Sequence, residues 1–132
     1  MPSLFIPILC NVKTIRSYFI DQQYCLEDYN GLFISPRQAA LNFRHRISEP
    51  GYFSDWHVAG DSTLIIIRSG ILRIGLRDGS VRDFASGDVF IAQDKLSDDK
   101  VFNKNCHGHT AQVIGDQPLI AIHLKLSSNS KD

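Results

Sequence analysis

The sequence predicts a single all-β domain. Its periodic stretches either alternate apolar and polar residues or are short β-branched runs, and turn residues interrupt them about every ten positions. Helical periodicity is nearly absent. A length of 132 residues with 43% apolar residues can bury one core without disulfides or metals.

The elements follow in order. Predicted strands are Leu4–Leu9, Leu32–Ile34, Leu41–Ile47, Leu64–Arg68, Ile71–Arg77, Val81–Phe84, Val89–Ala92, His109–Ile114 and Leu119–Leu126. The first, within "SLFIPIL", is an apolar run with no hairpin partner nearby; exposed, it would leave a hydrophobic edge, which predicts a homodimer formed by pairing that edge across a two-fold axis. "SPRQAAL", residues 35–41, is the one stretch that could hold a helical turn. Asp78-Gly79 is a hairpin signal, because glycine tolerates the positive φ such turns need, and Ser86-Gly87-Asp88 reads similarly. The segment 94–108, "DKLSDDKVFNKNCHG", is long and charged for a connection in a compact domain and is expected over the mouth of the fold. "SSNSKD", residues 127–132, reads as a disordered tail after a domain spanning 1–126.

Composition excludes several classes. Lys plus Arg and Asp plus Glu number 14 each, so no excess positive charge exists to hold a nucleic acid or an anionic membrane. Cys10, Cys25 and Cys106 are odd in number and lack C-x-x-C spacing, which argues against a disulfide framework and for a reducing compartment. The opening "MPSLFIPILCNVK" has no basic residue before its apolar run, and no segment reaches the roughly 18 apolar residues of a membrane helix. A cytoplasmic location is expected.

From Gly51 the sequence resembles a cupin. The first motif of that family, Gly, five residues, His-x-His, three or four residues, Glu, six residues, Gly, meets Gly51, His57, Ala59, Thr63 and Gly70 in "GYFSDWHVAGDSTLIIIRSG". The second histidine is replaced by Ala59 and the glutamate by Thr63. In the second motif Gly87 matches, Gln93 and Lys95 stand at the Pro and Gly places, and His109 best matches the histidine. A group of small single-domain cupins of unassigned function is more similar still, on Asp55-Trp56-His57, the run from Asp78 to Phe84, Gly87-Asp88-Val89 and Gly108-His109-Thr110. The likeness covers roughly residues 42–124, with an echo at "SYFID", residues 17–21; "AGDST" stands where that group would have Ala-Pro-Arg-Arg-Gln. The resemblance implies an antiparallel jelly-roll barrel and small-molecule chemistry in its interior.

Side-chain parity then selects the candidates, because alternate residues of a strand share a face. His109, with Ala111 and Val113, is expected to look inward, and His57, at the first ligand place, to meet it across the cavity. His107 shares the parity of His109 and would complete a compact "HGH" pair. His45, between Arg44 and Arg46, shares a face with Phe43 and Ile47 and is expected inside, with the two arginines solvated. His123 is expected on the outer face with Lys125, and Trp56 facing away from His57.

Two functional readings stay open. In one, His57 and His109 are ligands for zinc, iron or nickel in a lyase, isomerase or oxygenase, with Asp61 or Asp94 replacing the lost glutamate. In the other, they are inward polar groups that bind a small polar molecule or transfer protons without a metal, and His45, Asp61, Thr63, Asp94 and His107 complete the binding surface. No Ser-His-Asp or Cys-His arrangement and no phosphate-binding glycine loop is legible.

Overall fold

The computed structural model describes residues 2–127. Of the expected tail, positions 128–132 lie outside the described residues, whereas Ser127 donates its backbone N–H to the Ala39 carbonyl at 2.9 Å.

Twelve strands form in chain order: β1 (Ser3–Cys10), β2 (Tyr18–Cys25), β3 (Glu27–Tyr29), β4 (Leu32–Ile34), β5 (Ala40–Ser48), β6 (Phe53–His57), β7 (Thr63–Ser69), β8 (Ile71–Gly75), β9 (Val81–Phe84), β10 (Val89–Ala92), β11 (His109–Ile114) and β12 (Leu119–Leu126). No helix occurs among the described residues, so none is long and apolar enough to cross a membrane. Residues 35–39 run without regular structure instead of turning helically. Pro36 explains this, since it disfavours the α region for Ser35 and supplies no amide hydrogen.

A six-stranded sheet, β2-β1-β10-β7-β12-β5, faces a four-stranded one, β6-β11-β8-β9, and β3-β4 is a separate hairpin. The expected barrel is therefore a jelly roll of two facing sheets that hydrogen bonds do not close. Every pairing is antiparallel except that of β1 with β10. β1 is not an edge: β2 pairs with it from Ser3–Cys25 to Cys10–Tyr18, which removes the predicted reason for pairing that strand with a second copy. The polar run Asp21-Gln22-Gln23 conceals β2 in the sequence.

Between the sheets the core is Leu9, Ile65, Ile67, Leu72, Ile74, Phe84, Phe90 and Val113, with Phe84 and Phe90 stacked at 4.2 Å. Burial of such side chains is the main stabilising term of a fold this size. The outer face of the large sheet is apolar too: Ile8, Cys10, Ile91 and Leu126 are buried there, with Leu64 and Leu124 packed against them. Both faces of the central strands thus read as hydrophobic, as in sheets covered on two sides.

The turns hold as their residues require. Gly70, at φ +84°, joins β7 to β8 where a Cβ would collide with the Pro118 carbonyl and lie 2.8 Å from Leu119 Cα. Asp78 accepts hydrogen bonds from the Ser80 amide and hydroxyl, closing the β8–β9 hairpin. Ser86-Gly87-Asp88 is instead a crossing between sheets, pinned by the Gly87 amide to the Ile67 carbonyl and by the Ile67 amide to the Asp88 carbonyl.

Candidate functional site

The site starts from a register shift. His109 pairs with His57 and Ala111 with Ser54, so β6 spends three steps where β11 spends two. The extra residue is a β-bulge, a device that re-aims side chains. Here it turns both Ser54 and His57 toward the space between the sheets. Trp56 points away as expected, with the Arg77 guanidinium 3.6 Å from its ring centre. Gly108 makes the close approach possible: at φ +85°, a Cβ there would strike the His57 carbonyl and lie 2.9 Å from its amide nitrogen.

The two imidazoles meet, with ring centres 4.4 Å apart. His109 is buried, and its Nδ1 lies 2.7 Å from Oδ2 of Asp94, which has no solvent exposure. Asp94 also accepts from the buried Ser17 hydroxyl at 2.6 Å and the Ala59 amide at 3.0 Å. Burial alone would push its carboxyl up, but these donors outweigh burial and hold it below the usual carboxylate range. An ionised Asp94 only accepts, so Nδ1 of His109 carries a proton, and in the neutral ring the lone pair is therefore on Nε2. His57 is held in the same tautomer, because its Nδ1 lies 2.6 Å from the Asp55 carbonyl oxygen. Burial lowers its pKa, and Arg46 and the proton His109 can take lower it further against the opposing pull of the Asp55 carbonyl and Asp94.

A cavity of about 120 Å³ lies under the pair, walled by Ile65, Phe90 and Val113 and by Arg46 and His123 at one side. It opens into a groove of about 1080 Å³ along β5, past Ala59 and Thr63. Arg46 and His123 are residues that parity assigned to the outside. β5 is in fact inverted: Asn42, Arg44, Arg46 and Ser48 take the inner side and Leu41, Phe43 and Ile47 the outer, although every residue of the strand before Ser48 is exposed. The register sets Arg44 opposite His123 on β12, and Arg46 Nη1 lies 3.3 Å from His123 Nδ1. Burial and the neighbouring Arg46 and Arg44 charges push the His123 pKa down to about 4, so the ring is neutral and accepts from the guanidinium. The available signal was Ala121, a small residue in β12 with no solvent exposure, two positions from His123.

The other candidates divide. Asp94 belongs to the site, but as a buried support for His109, not as a rim carboxylate. Thr63 lines the groove, its hydroxyl donating to the Asp61 carbonyl at 3.0 Å. Asp61 itself is exposed and paired with Lys125 at 3.2 Å. His45 does not enter the cavity: it lies on the outer side of β5, edge-on to Phe43 at 5.8 Å, and meets only the groove. His107 is buried away from His109, its Nδ1 accepting from the Asn103 amide at 2.8 Å, because the positive φ of Gly108 breaks the strand before it. Segment 95–107 lines neither cavity nor groove. It is tied down elsewhere, by Asn11 to Lys95 and by Arg77 to the carbonyls of Lys104 and His107.

The donor set does not fit a metal centre. Zinc, iron and nickel sites use three or four protein ligands, and among the described residues no three His, Cys, Asp or Glu side chains converge to hold an ion. Asp94, the carboxylate nearest the imidazoles, already serves three donors.

No family model matches the chain, and no curated protein matches it. The solved structures similar to it include cupins, at low sequence identity. One is a cupin domain from Bordetella pertussis, 12% identical, covering 70% of this chain and 98% of that one at a TM-score of 0.47. Another is a cupin 2 conserved barrel protein from Rhodopseudomonas palustris, 12% identical, covering 98% and 74% at 0.49. A conserved protein of unknown function from Streptococcus pyogenes is 11% identical over 73% and 72%, also at 0.49.

Asp94→Ala should cost about 3–5 kcal/mol at pH 7, because it strands three donors, of which Ser17 and His109 are buried. A carboxyl whose folded pKa is depressed gives stability that is complete above its unfolded value near 3.9 and lost as pH falls through the folded value. The gap between wild type and variant, read from urea unfolding, should therefore narrow below about pH 4. A loss under about 1 kcal/mol, or a gap independent of pH, would contradict the role given to Asp94.

Proposed function

We propose that the chain binds a small polar molecule in the cavity between its sheets, with Nε2 of His57 and of His109 accepting hydrogen bonds from it. The observation that supports this most is the fixing of both tautomers, by the Asp94 carboxylate and the Asp55 carbonyl. Among the described residues no hydrogen bond engages either Nε2. Two aimed lone pairs above an apolar-walled cavity are complementary to a hydroxyl or amine, and such convergent polar groups in a mostly apolar pocket are the usual form of a small-molecule site.

The Asp94–His109 pair also favours proton transfer. A carboxylate behind Nδ1 orients the imidazole and stabilises the cation it becomes on taking a proton at Nε2, which is the requirement for a general base. Bound hydroxyl or carbon acid would be the donor. A metal-dependent lyase, isomerase or oxygenase has less support, since His57 and His109 are only two donors.

Small molecules released from the purified chain by denaturation, identified by mass spectrometry, test the binding reading. Wild type is expected to carry one compound that His57→Ala and His109→Gln lose at least ten-fold while His57→Ala keeps its melting temperature. Equal retention by all three proteins would remove the imidazoles from the site.

We also propose a homodimer, through a surface other than the one first expected. Leu41, Phe43 and Ile47, with His45 among them, extend the outer face of the large sheet to its β5 edge, and exposed apolar surface of this kind marks interaction sites. Light scattering should give twice the chain mass, and Phe43→Asp with Ile47→Asp half of that; a wild-type monomer at every concentration would overturn the proposal.

A further inference from the structure

We infer that the ligand of this cavity is a small carboxylate, its charged end held by Arg46 with Arg44 at the rim and its hydroxyl or amine turned toward the two imidazoles. The inference rests on the reading of the cavity just given and adds the chemical class of its occupant.

It begins with an imbalance of charge. No Asp or Glu lines the cavity or the groove, whereas Arg44, Arg46 and Lys125 do. Lys125 is answered by Asp61, and the arginines of the second sheet by Asp83 and Asp21. Among the described residues neither Arg44 nor Arg46 has a carboxylate within ion-pair distance. The carboxylate nearest the imidazoles, Asp94, stands behind His109 with its acceptors already engaged. Both arginines are exposed on β5 and so open to an entering anion, and a concave site lined by one sign of charge focuses its field on whatever enters.

Position adds to charge. Arg46 and His123 of the large sheet line both cavity and groove, and so do His57 and His109 of the small sheet across from them. His123 accepts one of the five N–H donors of Arg46 and fixes its plane. The donors left over form the planar fork that matches a carboxylate in two parallel hydrogen bonds. His123 is suited to this use because it is neutral: it steadies the arginine without cancelling its charge.

Size and the remaining polar groups narrow the class. An engineered cavity of about 150 Å³ holds benzene, so about 120 Å³ admits a skeleton of a few heavy atoms beyond the charged end. Ile65 and Phe90 wall that skeleton. The bare Nε2 atoms ask for a donor at its far end. A two- to five-carbon acid with a hydroxyl or amine near the carboxylate meets every one of these demands, while its amide fails the first.

The test uses the full chain at pH 7 and a panel of two- to five-carbon hydroxy and amino acids, each paired with its primary amide, plus inorganic phosphate. Affinity is read by NMR titration on the histidine ring protons. At least one acid is expected to bind ten-fold or more tightly than its amide, with shifts at His57 and His109. Arg46→Gln should reduce that preference to under three-fold with an unchanged melting temperature, and Arg46→Lys should keep part of it. Amides that bind as well as acids, or a preference that survives Arg46→Gln and Arg44→Gln together, would overturn the carboxylate while leaving the cavity reading in place. Phosphate binding alone would overturn it too. A panel that moves no imidazole resonance would defeat both.

Discussion

A carboxylate sealed from solvent is the point on which the two halves of this protein meet. Asp94 follows β10 of the large sheet, yet it accepts from His109 of the small sheet, from Ser17 just ahead of β2 and from the backbone of Ala59 on the segment between the sheets. A buried charge survives only with such a set of donors, and a fully satisfied set holds its members in one geometry. The imidazole of His109 is thereby placed, and His57 is placed against it by the bulge of β6 and the missing Cβ of Gly108. Ala59 stands where a second motif histidine would be expected, and its amide instead helps hold the carboxylate.

The large sheet sets the other limit. With apolar residues on both faces of its central strands, it has no face that composition alone marks as inner. At β5 the pattern reverses, and the arginines look into the cavity while Phe43 and Ile47 face out. The cavity consequently has a polar, cationic side at the edge strand and a pair of imidazoles opposite. The proposed binding at one end and proton acceptance at the other both rest on that layout.

This also explains what was legible beforehand. The all-β class, nine of the strands and the inward aim of His109 followed from alternation, because β11 has one apolar face and one polar one, while the jelly roll and the meeting of His109 with His57 were implied by the cupin resemblance. Parity failed on β5 and β12, where it sent His45 inward and His123 outward, since alternation reports a face only when the opposite face is polar. β6 escaped because its bulge breaks the period of two, and β2 because its centre is polar. Asp94 is among the candidates, but nothing in a one-dimensional pattern shows that a residue opening a charged loop is the most enclosed carboxylate among the described residues.

The central claim is that both imidazoles present an unprotonated Nε2 to the cavity because Nδ1 of each is committed behind it. ¹⁵N chemical shifts of the histidine rings at pH 8 test this most directly, since the protonated and bare nitrogens of a neutral imidazole resonate far apart. The account predicts a proton on Nδ1 and none on Nε2 for both His57 and His109, with Asp94→Ala releasing His109 into a mixture of tautomers. An Nε2-protonated ring at either position in the wild-type protein would contradict it.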